Sequence, residues 1–204
     1  MEKRDLEVVN FINMVGLCES SHVKELYFPE VHKNICMRRL KKLAEDGYIN
    51  RVKMEGNVFV YYNEKKPSKR ILFHDLQVTN FVVKMIKEGY EILEFKRTLV
   101  IGTKPKNSAV VSNGSIIPDA YIKYKYKDGV VRHLVLEIQL SGTVENCISK
   151  YKNFKNLILE SNLGWNTIPR IICITNMKDR IQLRGLKVLY DNTEMNNINE
   201  ILRG

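Results

Sequence analysis

Apolar residues return at helical spacing at Leu6, Val9 and Ile12, with Asn13 beside them, and Gly16 closes that first helix. Ser20 or Ser21 can cap a short second helix running through Val23–Tyr27. Pro29 opens a third segment, in which Lys33–Asp46 reads as a helix ended by Gly47. Two β-rich runs follow, Tyr48–Lys53 and Val58–Tyr62, joined by Met54-Glu55-Gly56-Asn57 as a hairpin. The polar stretch Glu64–Arg70, broken by Pro67, marks a boundary. The expected division is therefore a first domain over 1–64, a linker over 65–70 and a second domain over 71–204.

Beyond the linker, Leu72, Leu76, Phe81, Val82, Met85 and Ile86 make a broad apolar face on a helix stopped by Gly89. Strands are predicted over Tyr90–Phe95, Thr98–Ile101, Ile116–Tyr126 and Val130–Gln139, the last two joined at Asp128-Gly129. Lys123, Lys125 and Lys127 alternate with Tyr124 and Tyr126, a strand with one basic face. Thr143 can cap a helix reaching Leu159. Ile171–Thr175 is a short buried strand, Lys178–Arg184 begins a helix, and Val188–Tyr190 is a last strand. This order predicts an α/β protein with a mixed sheet in its second domain.

Three helices and a hairpin make a winged helix-turn-helix, and the stretch Asn34–Ile49 resembles the recognition helix of bacterial winged-helix regulators. In that resemblance Cys36, Leu40, Leu43 and Ile49 point inward. Lys33, Asn34, Met37, Arg38 and Lys41 face the DNA major groove or its phosphates, and Lys53 on the wing reaches the backbone. Arg38 and Asn34 are the candidates for base edges, since Arg matches guanine and Asn matches adenine. The same basic residues also fit an ordinary solvated face on a domain that contacts protein.

Composition adds a partner class. A formal charge of +10 suggests a polyanion. Residues 1–66 hold 12 Lys/Arg against 10 Asp/Glu, and 67–204 hold 21 against 13, so the second part is expected to supply most attraction to phosphate. No apolar run is long enough to span a bilayer, and the start MEKRDLE lacks the apolar core of a signal peptide. A cytoplasmic protein without membrane contact is expected. Cys18-x3-His22-x9-His32-x3-Cys36 has zinc-like spacing, but Cys36 shares an apolar stripe with Leu40 and Leu43, so the core reading is preferred.

The chemistry concentrates in Ile117-Pro118-Asp119-Ala120 and Leu136-Glu137-Ile138-Gln139. A hairpin turning at Asp128-Gly129 brings Asp119 and Glu137 together at a strand end, where two carboxylates suit Mg²⁺ or Mn²⁺. Pro118-Asp119 with Glu137-Ile138-Gln139 resembles the PD-(D/E)XK nuclease superfamily. More narrowly, the chain resembles the replication-relaxation family of plasmids and mobile elements. The features shared with that family are the winged helix, a His74-bearing helix, I-P-D-A, E-x-Q, Lys150-Tyr151, and the Ile172–Thr175 strand with Arg180. Glu137-Ile-Gln-Leu-Ser141 also resembles the E-x-Q-x-S segment of competence-associated nucleases.

The resemblance implies Asp119 and Glu137 as metal ligands, and Asp119, Glu137, Gln139 and Lys150 as the catalytic set. Gln139 stands where a fully equipped member has Lys, and Lys150 could supply the migrated ammonium. The helix-borne first Glu has three candidates, Glu88, Glu91 and Glu94. The implied function is a double-stranded-DNA-binding protein of a plasmid or mobile element, acting in replication, mobilisation or their control. Two alternatives stand beside it: a metal-dependent endonuclease or nickase, and a transcriptional repressor whose second domain only dimerises.

Overall fold

The computed structural model describes residues 2–54, 56, 58–64, 66–102, 114–161, 163–165 and 167–203. It is a mixed α/β structure that divides into two compact units, Met1–Lys87 and Glu88–Gly204. That division lies some twenty residues past the Pro67 linker expected from composition.

The first unit contains α1 (Lys3–Val15), β1 (Leu17–Glu19), α2 (Ser20–Tyr27), α3 (Lys33–Glu45), β2 (Asn50–Lys53), β3 (Phe59–Tyr62) and α4 (Lys69–Lys87). Gly16 ends α1 at φ 83°, a left-handed turn, with its N–H donating to the Ile12 carbonyl at 2.8 Å. β1 was not legible in the sequence; it completes a sheet of order β1-β3-β2, antiparallel throughout. Glu19 rather than Ser20 or Ser21 stands at the N-cap of α2. The hairpin positions Glu55 and Asn57 lie outside the described residues.

α4 belongs with this unit because its apolar face completes the unit's core. Leu72 and Leu76 cluster with Leu17 and Val60, and the Thr79 hydroxyl donates to the Leu17 carbonyl at 2.7 Å. The two units consequently carry equal charge. Residues 1–87 hold 16 Lys/Arg against 11 Asp/Glu and 88–204 hold 17 against 12, a net +5 each. The expectation that the second part holds most of the positive charge does not survive this division.

The second unit is a five-stranded sheet of order β10-β9-β8-β7-β4. It comprises β4 (Glu91–Lys96), β7 (Ala120–Lys125), β8 (Val131–Ile138), β9 (Arg170–Ile174) and β10 (Val188–Asp191). β4, β7 and β8 pair antiparallel, while β8, β9 and β10 are parallel. A small ladder joins β5 (Ile101–Gly102) to β6 (Ser115–Ile116). Gly102 is required there: at φ 107°, an added Cβ would lie 2.1 Å from the Gly114 carbonyl oxygen.

Several predicted elements differ in this unit. Ile116–Tyr126 is not one strand, because Pro118, which has no N–H, separates β6 from β7. The single helix expected from Thr143 to Leu159 breaks into α5 (Val144–Ser149) and α6 (Phe154–Ser161). Lys178–Arg184 forms no helix, and the Tyr190 hydroxyl instead bonds the backbone of Ile181. The chain adds α7 (Ile198–Arg203), unforeseen in the sequence. The basic strand face is also balanced: Lys125 pairs with Glu91 at 2.6 Å, and Lys123 stands in register with Glu94.

Candidate functional site

On α3, Cys36, Leu40 and Leu43 are buried, which turns the opposite face outward. Lys33, Asn34, Arg38 and Lys41 are exposed and Met37 is half-buried; 34, 38 and 41 share one face by helical spacing. Lys53 on β2 is also exposed. His32 caps the helix, its Nδ1 accepting from Asn34 N–H at 3.2 Å. Lys41 reaches Glu45 at 3.6 Å, a surface pair worth little.

Arg39 is turned another way. Its Nε donates to Asp5 Oδ1 at 2.6 Å and its Nη2 to Asp5 Oδ2, tying α3 to α1. The Arg39 hydrogen bond holds the Asp5 carboxyl below its usual range. Sequence reasoning missed this pair, because residues 34 positions apart announce nothing by spacing.

The zinc-like quartet serves structural ends. Cys18 and Cys36 are buried, and burial pushes the Cys36 thiol up to about 11. His22 Nδ1 accepts from Glu19 N–H at 3.1 Å, and its Nε2 meets Asn80 Oδ1 at 2.5 Å. Among the described residues no group of three or more His, Cys, Asp or Glu side chains is placed to hold a metal.

The carboxylate pocket lies in the second unit. Ala120 pairs with Leu136, so Asp119 and Glu137 stand one step beyond, at the same sheet end. Asp119 Oδ2 accepts from Ile138 N–H at 2.7 Å, fixing the strand entry beside Glu137. Glu137 is the one charged residue among five consecutive buried positions of β8 and is only 2% exposed. It shares a face with Val135, the face covered by Val144, Ile148, Tyr151 and Phe154.

The break between α5 and α6 gives this carboxylate its partners. In a continuous helix, residues 150 and 151 would point about 100° apart. In the turn, both reach Glu137. Lys150 Nζ lies 2.8 Å from Oε1 and 2.9 Å from Oε2, and it also donates to the Ile117 carbonyl at 3.2 Å. The Tyr151 hydroxyl donates to Oε1, and Cys147 Sγ lies 3.5 Å from Oε2.

Burial pushes the Glu137 carboxyl up to about 7, against the attraction of Lys150 and helped by the charge of Asp119. Burial likewise raises the Tyr151 phenol, with Glu137 adding to the effect. The Cys147 thiol is raised by its hydrogen bond to Cys173 and by burial. Burial of a carboxyl beside an ammonium shifts it in this way in reactive sites and in structural ion pairs alike.

The structure thus brings Asp119, Glu137 and Lys150 together. Gln139 is not joined to them: its side-chain amide donates to the Ser141 carbonyl and its backbone N–H to Ile174. Tyr151 and Cys147 were given no role by sequence reasoning, although Tyr151 sits beside Lys150 in the quoted motif. None of the three candidate first-motif residues joins the cluster. Glu88 accepts from Asn199, Glu91 pairs with Lys125, and Glu94 pairs with Lys96. His133 bonds the Tyr121 hydroxyl at 2.7 Å, and His74 lies 3.5 Å from Asp75.

Two converging carboxylates are the donor type a hard divalent ion takes. Asp119 and Glu137 stand at the same sheet end, but both Glu137 oxygens are engaged by the Lys150 ammonium and one Asp119 oxygen by Ile138 N–H.

Comparison of the chain with protein-family models, curated proteins and solved structures gave no match. Among the described residues, no helix is long and apolar enough to cross a membrane.

Proposed function

We propose that this chain is a double-stranded-DNA-binding protein of a plasmid or related mobile element, acting in replication, mobilisation or their control. The element type and process rest on the sequence resemblance. DNA binding rests above all on the outward face of α3, where Lys33, Asn34, Arg38 and Lys41 are exposed while Arg39 is held against Asp5. In this reading the first unit is a winged helix, α3 enters the major groove, and Lys53 touches the backbone. Arg38 reads a guanine edge and Asn34 an adenine edge, with Met37 on the same side of the helix facing the groove. Arg38→Ala should weaken binding by about 1–3 kcal/mol and relax sequence choice. Gel shifts on a site selected from a duplex pool test this. Equal affinity and selectivity in the variant would remove α3 as the reading element.

A second reading, metal-dependent strand cleavage, is favoured by the buried Glu137 beside Asp119 and Lys150. Asp119 and Glu137 would hold Mg²⁺ or Mn²⁺, which supplies phosphate polarisation and a more acidic water. The chain's own residues have separate tasks. Asp119 braces the entry to β7 through Ile138 N–H, Tyr151 fixes Glu137 Oε1, and Lys150 offers positive charge beside the pocket. Gln139 has no place in the cluster, so this version of the site is built around Lys150. Supercoiled plasmid with purified protein and metal decides it: open circles that vanish in Asp119→Ala and Glu137→Ala support cleavage. Intact supercoil under those conditions leaves DNA binding alone.

A further inference from the structure

At the other end of β7 and β8 from Asp119 and Glu137, a cavity of about 400 Å³ is lined by Tyr90, Tyr126, Asp128, Arg132, Leu202 and Arg203. Its lining is basic. Arg203 Nη2 donates to the Tyr126 hydroxyl at 3.1 Å, and no carboxylate of the described residues lies within ion-pair distance of Arg203. The guanidinium carbon of Arg203 and the Lys127 ammonium lie 5.4 and 5.8 Å from the Tyr126 ring centroid. The one acid, Asp128, is already engaged. Its Oδ2 takes Arg132 Nη2 at 2.7 Å, and its Oδ1 takes Arg132 Nη1 at 3.1 Å and Val130 N–H at 2.9 Å.

A second observation concerns Tyr90. Tyr90 is 3% exposed and lines the cavity beside Arg203; its buried hydroxyl has no well-aligned hydrogen-bond partner, and the Arg203 guanidinium is the donor that acts on it. A buried hydroxyl without a partner is unfavourable, and native structures usually supply one. Tyr126, accepting from Arg203, has its own O–H left to donate. Two phenols, the Arg203 fork and the Arg132 edge make several donors arranged about one space. Such a set matches an oxyanion with several acceptor oxygens, and the guanidinium forks suit phosphate geometry.

We propose that this cavity binds a phosphate group, and that the phosphate is one carried by the DNA backbone. The choice of DNA rests on the function proposed above; the phosphate chemistry does not. The site would give the second unit its own grip on the duplex, away from the carboxylate pocket.

The test uses the full chain and two variants, Tyr90→Phe and Arg203→Gln, with two probes. One is inorganic phosphate, followed by ³¹P line broadening. The other is a duplex without the preferred site and without terminal phosphates, followed by anisotropy at several salt concentrations. Tyr90→Phe keeps the ring and removes the hydroxyl beside Arg203, and its thermal midpoint checks that the fold persists. Phosphate binding should drop about threefold in Tyr90→Phe and about tenfold in Arg203→Gln, and the salt slope on duplex should fall by about one in Arg203→Gln. If phosphate binding falls but the duplex slope does not, the phosphate site holds and its DNA source is overturned. If wild type binds no phosphate, or both variants match it, the proposal is overturned. Neither result depends on Arg38, so failure here and failure of the α3 reading are separable.

Discussion

Two acids in this chain have the same exposure and a cation within bonding distance, yet they titrate in opposite directions. Asp5 and Glu137 are each 2% exposed. Asp5 is held below the usual carboxylate range, chiefly by its hydrogen bond from Arg39. Glu137 is pushed up to about 7, chiefly by burial. The difference lies in what surrounds them. Asp5 is capped by the guanidinium fork on both oxygens and by Glu2 N–H at 3.1 Å. Glu137 lies under α5 and the turn that follows, against one ammonium, a phenol and a thiol. A fork aimed at both oxygens, with a backbone N–H beside it, favours the anion. A single ammonium cannot offset the loss of water deep beneath a helix. The first pair therefore fastens α1 to α3, and the second holds an acid at the edge of ionisation.

The strongest way to break this comparison is Lys150→Met. Removing the cation from a buried carboxylate should cost the second unit about 3–5 kcal/mol at pH 8. The loss should shrink toward pH 5, where Glu137 is protonated in both proteins. Urea unfolding at the two pH values measures it, and an equal loss at both would mean that Lys150 contributes packing rather than charge.

Glu137→Gln probes the same group from the other side. A folded value near 7 against an unfolded 4.5 means that the unfolded chain loses the proton first. Wild-type stability from this group is thus complete below about 4.5 and is lost as pH rises toward 7, by about 3 kcal/mol in all. The Gln variant should show no such fall, and the difference between the two urea curves reports it. Lys150, 34% exposed, can turn to water in that variant.

Asp5→Asn should give the smallest effect and the reverse sign. Its lowered value means that stability is present above the ordinary carboxylate range and disappears as pH falls through the folded value. Arg39 is partly exposed and keeps Glu2 as a partner in the variant, so the loss at neutral pH should be about 1 kcal/mol. Thermal melts from pH 7 down to pH 3 should bring variant and wild type together at the acid end.

What the sequence revealed follows from the range over which each signal acts. The helices of the first unit were legible because Leu6, Val9 and Ile12, or Cys36, Leu40 and Leu43, repeat at helical spacing and Gly16 and Gly47 end their runs. β1 was not, since three residues carry no period and the strand exists only through pairing with β3. Asp119 and Glu137 could be placed together because a hairpin fixes register locally. The turn after α5 could not, because Lys150–Asn153 has helix-compatible composition and breaks where Lys150 and Tyr151 both engage Glu137. Pro67 and its charges suggested a boundary, yet tertiary packing of Leu72 and Leu76 on Leu17 carried α4 into the first unit.

The most direct test of DNA reading by α3 is protection of guanine N7 from methylation on a site selected by the wild-type protein. Arg38 in the major groove predicts at least one guanine shielded by wild type and exposed again with Arg38→Ala, while backbone contacts elsewhere persist. A wild-type complex that leaves every guanine N7 reactive, or protection unchanged in the variant, would contradict it.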